Sequence, residues 1–175
     1  MRWGRKHKGK IWKGAVAGMA GGLAASWVMN QFQAVWSKAA EVIQGNGQRG
    51  PEQQSGDGED ATMKIANKIA ATVLRRELTK EEQQTAGPVV HYTFGALMGG
   101  VYGASVEVVP KLRSGFGLPY GTAVFVGADE VAVPALGLSK SPAEYPISTH
   151  AYALASHLVY GATLELVRRG VRRLL

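Results

Sequence analysis

Seven ionisable side chains lie in otherwise apolar surroundings, and they are the residues through which this chain could do chemistry. They are His91, Glu107, Asp129, Glu130, His150, His157 and Glu165. Asp129 and Glu130 interrupt an apolar stretch from 116 to 138, so their burial has to be explained by a partner or by water. A carboxyl moved into a low-dielectric site becomes harder to ionise, and an imidazole changes charge near neutrality. Together they could pass a proton. Counting about 1.5 Å per helical residue puts Asp129, Glu130 and His157 at one depth, His91 and His150 nearer one end, and Glu107 and Glu165 nearer the other. The relay reading makes the histidines an entrance, the acids with His157 a centre, and the two glutamates an exit.

Three simpler readings compete with the relay. Asp129 or Glu130 could bond His157 or Tyr160 and merely fasten two helices. Glu107 and Glu165 each precede a cation by four residues, Lys111 and Arg169, so each could form an i,i+4 pair. A zinc or iron site could draw on the same acids and histidines, yet no His-Glu-x-x-His or Glu-x-x-His spacing fixes its geometry, and no metal or other cofactor is expected. Adjacent residues point about 100° apart on an α-helix, so one of Asp129 and Glu130 should face His157 and the other helix one, helix two or internal water. No Gly-x-Ser-x-Gly elbow presents a nucleophile and there is no cysteine, so the chain is not expected to be an enzyme.

The elements that must position these groups are helices. Segments 14–37, 83–106 and 145–164 contain no Asp, Glu, Lys or Arg, and each is long enough to cross roughly 30 Å of hydrocarbon. With the stretch holding Asp129 and Glu130 they predict an all-α integral membrane four-helix bundle, one domain over 1–175, with transmembrane helices at about 11–37, 88–109, 118–136 and 147–168. Trp12 and Trp36 would stand about 36 Å apart on the first helix, the separation of two interfacial anchors. A basic leader before an apolar segment also fits a signal peptide, but this segment is too long for an h-region.

Between the first two spans, the external loop and amphipathic helix cover about 44–79. The first part, 44–60, has the composition of a polar linker. Asp60 then caps a helix in which Ile65, Ala66, Ile69, Ala70, Val73 and Leu74 share a face. Thr79 and Glu82 have the spacing of a capping box and start the run into the second span.

The net charge of +7 would point to nucleic acid on a soluble surface, but 12 of the 20 basic residues flank the spans at the two ends and at Lys111/Arg113. That placement favours anionic lipid over nucleic acid. It also puts both termini in the cytoplasm and 38–85 outside, by the positive-inside rule. Glycines at a spacing of four, Gly14, Gly18 and Gly22 on helix one and Gly95, Gly99 and Gly103 on helix two, let helices approach closely in lipid. Segments 101–109, VYGASVEVV, and 159–167, VYGATLELV, share six of nine residues and mark an internal hairpin repeat.

Several features of 106–173 resemble the YagU-like family of bacterial inner-membrane proteins. They are Glu107-Val-Val-Pro-Lys111, Pro134 with Leu136-Gly137-Leu138, and Ser156-His157-Leu158-Val159-Tyr160 followed by Glu165 and Arg168-Arg169. The resemblance implies a multispanning protein of the bacterial inner membrane and supplies no catalytic residues. The expected role is a structural or accessory subunit in the bilayer, beside other membrane proteins or copies of itself. The alternative is a proton or cation transporter using Asp129, Glu130 and His157.

Overall fold

The structure, a computed structural model, describes residues 3–44 and 61–175. Among these residues every regular element is a helix. Helix α1 spans Trp3–Gln44, α2 Ala61–Val73 and α3 Lys80–Val108; a 3-10 turn at Pro110–Arg113 leads to α4, Leu118–Val124. The chain then widens into a π-helix over Phe125–Ala132, returns to one α-turn at Val133–Ala135 (α5), passes a 3-10 turn at Pro142–Glu144, and ends in α6, Ile147–Leu174. Helix α1 packs on α3 and α6, α2 packs on α3, and α4 packs on α6.

The six spaced glycines form one seam. A methyl group built on Gly14, Gly18 or Gly22 would collide with the carbonyl of Gly103, Gly99 or Gly95 respectively, so the two backbones touch with no side chain between them. A second seam joins α4 to α6, where Gly117 and Gly121 meet Gly161 and His157 through backbone atoms. The space left around these seams is filled by Ala25, Met29, Tyr102, Val106, Tyr160 and Leu164, with Tyr120 packed against them. Two of the core tyrosines direct their hydroxyls to backbone acceptors: Tyr160 donates to Gly95 O at 2.6 Å and Tyr120 to Met98 O at 2.7 Å.

The capping box forms as its spacing requires. Thr79 Oγ1 accepts from Glu82 N at 3.3 Å, and the Glu82 carboxylate accepts from Thr79 N at 2.9 Å. Arg76 donates to both Glu82 oxygens, at 2.8 and 2.7 Å. Ahead of it, Asn67 Oδ1 accepts from Leu78 N at 2.7 Å and ties the middle of α2 to the segment leading into α3.

Three expectations differ from the structure, and a fourth lies outside the residues it describes. No helix among the described residues is long and apolar enough to cross a membrane, so the four transmembrane helices do not appear as such. The reason is local: glycines and serines occupy the packing faces, Asn30, Gln31 and Gln33 sit within α1, and the third expected span is broken into α4, the π-helix and α5. Boundaries also move, with 11–37 lengthened to Trp3–Gln44, 88–109 starting at Lys80 and 147–168 reaching Leu174. On α2 only Ala66 and Ala70 are buried, while Ile69, Val73 and Leu74 of the expected apolar face are exposed. The cap assigned to Asp60 lies outside the described residues.

Candidate functional site

The π-helix decides where the two adjacent acids go. Its wider turn reduces the angle between consecutive side chains, so Asp129 and Glu130 both reach α6 instead of diverging. Glu130 Oε1 lies 2.7 Å from His150 Nδ1, and Asp129 Oδ2 lies 3.6 Å from His157 Nδ1. His150 and His157 are two turns apart on one face of α6, which sets the pairs roughly 10 Å apart along its axis. The expectation that one acid would turn to helix one, helix two or internal water is therefore overturned, and His150 joins the central group as a direct partner.

The protons can be counted at the first pair. His150 Nε2 is 3.1 Å from Pro142 O, a carbonyl that only accepts, so Nε2 carries a hydrogen. The short Nδ1 to Oε1 contact then holds one more proton, on the imidazole as an ion pair or on the carboxyl as a neutral pair. Glu130 and His150 thus share a proton between fixed ends. The second pair is looser. His157 Nδ1 donates to Ala153 O at 2.9 Å, and 3.6 Å to Asp129 exceeds hydrogen-bond reach. Phe125 covers the His157 ring at a centroid distance of 5.8 Å.

His91 stays on α3, its ring edge-on to that of Tyr92 at 5.6 Å. Among the described residues no three His, Asp or Glu side chains come together as a metal cage. An open groove of about 420 Å³ between α1 and α3, lined by Met19, Leu23, Pro88, Val89, Tyr92, Thr93, Ala96 and Leu97, offers no carboxylate, imidazole or guanidinium.

Glu107 and Glu165 are bound by arginines. Glu165 is fully buried and accepts from Arg168 Nε at 2.7 Å, Arg168 Nη2 at 3.0 Å and Arg169 Nε at 2.5 Å. The expected Glu165–Arg169 pair exists, joined by the i,i+3 pair with Arg168. Glu107 departs from its expected partner Lys111 and reaches across to α6, where Arg172 donates from Nε at 2.6 Å and Nη2 at 3.3 Å. The end of α6 is thereby clamped to α3. Carboxylates so engaged by guanidinium forks are fasteners and make poor proton carriers. The Arg168 guanidinium also lies 5.8 Å over the ring of buried Tyr102.

Sequence reasoning overlooked Arg172 as a partner, the second glycine seam and buried Tyr102, and it offered Tyr160 to the acids although its hydroxyl goes to Gly95 O. The nine-residue repeat held the signal for several of them: it aligns Tyr102 with Tyr160, Gly103 with Gly161 and Glu107 with Glu165. In each copy the tyrosine fills the core, the glycine touches a neighbouring backbone and the glutamate takes an arginine.

The fold and these contacts define a glycine-seamed helical bundle with ion pairs inside it. The chain belongs to the family described as "Protein of unknown function (DUF1440)", whose model matches residues 63–166. No curated protein and no solved structure matches the chain.

Proposed function

We propose that this chain is a small multispanning membrane protein without enzymatic activity, a structural or accessory subunit that packs beside other membrane proteins or its own copies. One observation carries the reading: large apolar side chains line the outside of the bundle while charged and small polar groups share its interior with the apolar core. The interior holds glycine backbone, Ser26, Ser156, Glu165 and Arg168, whereas Trp12, Val16, Met19, Leu23 and Trp27 form an exposed stripe along α1, opposite Gly14, Gly18 and Gly22. Phe94, Leu97, Val101 and Val108 form another on α3. Water would penalise such stripes and hydrocarbon would not. Mean hydropathy over a window averages the glycine face with the lipid face, so the apolarity of the outer face is the better guide.

The basic ends support a bacterial inner-membrane location with both termini in the cytoplasm, and the motifs of 106–173 support the YagU-like kinship. Alkaline carbonate washing of membranes from expressing cells tests the reading. Retention in the pellet and release by detergent are expected; recovery in the wash overturns it. Cysteines placed at Ser55 and Arg173 in intact cells should be labelled and protected respectively.

A second reading, proton transport, is favoured by the Glu130–His150 pair, which holds a shared proton on a π-helix. Liposomes containing only this chain should then acidify in response to a potential, and Glu130→Gln should abolish that flux.

A further inference from the structure

The turn between α3 and α4 has a backbone that calls for a reason. Gly115, Phe116 and Gly117 have φ of 78°, 53° and 80°, three consecutive left-handed residues. Glycine adopts this freely, but an aromatic L-residue rarely does. Gly117 is needed there, because a side chain at that position would strike the carbonyl of Gly161 on α6. No such close approach explains Phe116. The residue is 67% exposed, Leu112 and Leu118 in the same turn are exposed too, and the Arg169 guanidinium sits 4.9 Å over the Phe116 ring. Arg169 also reaches Arg113 O at 3.4 Å, which ties the turn to α6.

The cations here outnumber their partners. Glu165 and Glu107 engage Arg168, Arg169 and Arg172, while among the described residues no carboxylate pairs with Lys111, Arg113 or Arg173. Lys111 and Arg113 alternate with Leu112 in the exposed turn, and Arg173 follows Arg169 by one turn of α6. Cations interleaved with projecting apolar side chains match a surface where phosphate and acyl chain meet. A free phosphate or a nucleic acid would use the charges and leave the ring and the leucine in water.

We propose that this turn binds an anionic phospholipid: Lys111, Arg113 and Arg173 hold the headgroup phosphate, while Phe116 and Leu112 enter the acyl region. The proposal rests on the membrane reading. With the chain purified in an uncharged mild detergent, thermal unfolding is followed with phosphatidylglycerol, phosphatidylcholine or inorganic phosphate added. Phosphatidylglycerol should raise Tm by about 3–5 °C and phosphatidylcholine should not. The Lys111→Gln/Arg113→Gln double variant should lose most of that rise. Phe116→Gly relieves the backbone, so it should keep or raise the basal Tm yet lose at least half of the response. Equal responses to the two lipids, an equal response to inorganic phosphate, or a full response in both variants would overturn the site. Failure of these arms in a carbonate-resistant protein refutes the site alone, whereas loss to the carbonate wash refutes the membrane reading first.

Discussion

Glu107 and Glu165 stand at the same position of the repeated nine-residue segment, on different helices, and both are held by arginines of α6. They differ in burial: the Glu165 side chain is 1% exposed and that of Glu107 is 13%. Glu165→Ala leaves the buried Arg168 without its carboxylate and should cost about 3–5 kcal/mol. Arg172→Gln breaks a pair at the rim and should cost about 1 kcal/mol or less. Unfolding in detergent monitored by circular dichroism measures both, and equal losses would contradict this ranking.

The glycine seam makes a second contrast. Gly18→Ala and Gly99→Ala place a methyl on a facing carbonyl with no flexible side chain to give way, so each should destabilise by at least about 1–3 kcal/mol. Gly170→Ala sits in the interior of α6 with open space around it and should gain about 0.5–1 kcal/mol. Tm values of the three variants, compared with the parent, check the signs.

At the π-helix, Glu130→Gln keeps a hydrogen-bonding side chain but cannot share a proton with His150. Helix content should be retained, while the ring-nitrogen signals of His150 in ¹⁵N spectra should shift because Nδ1 no longer faces a carboxyl. Asp129→Asn should leave the His157 signals nearly unchanged, because that proton already goes to Ala153 O. A larger response at His157 than at His150 would refute the assignment.

Outside the bundle, Glu82 gives a pH dependence with a definite sign. Its hydrogen bonds, from the Arg76 side chain first and then the Thr79 backbone, hold its carboxyl down at about 2 against an ordinary 4.5. A depressed carboxyl stabilises the folded form above the unfolded value, and that contribution fades as pH falls from 4.5 towards 2. Glu82→Gln preserves the capping geometry and removes the charge, so melting of the α2–α3 corner should lose its dependence in that window. A variant as acid-sensitive as the parent would contradict the role.

Local rules were readable from the sequence where they concerned neighbours in the chain. The capping box, the Glu165–Arg169 pair and the glycine spacing each depend on a few residues at fixed offsets, and all three are found in the structure. Contacts across elements were harder. Glu107 takes Arg172, 65 residues away, because α1 packs on both α3 and α6 and so brings their side chains within reach, and nothing in the local spacing competes with Lys111 to say so. The π-helix was invisible for a similar reason. FVGADEVA has the composition of an ordinary helix, and only its packing against α6 distinguishes the wider turn.

The fastening of α2 has one more implication. Asn67 binds it to the backbone ahead of α3, and Lys68 Nζ donates to Leu136 O at 2.8 Å just beyond α5. Helix α2 therefore belongs with everything that follows it, and α1 meets that remainder through side-by-side backbone contacts. Because α1 packs on both α3 and α6, it is the element that joins the two halves of that remainder, and Gly95, Gly99 and Gly103 are the surface along which it does so.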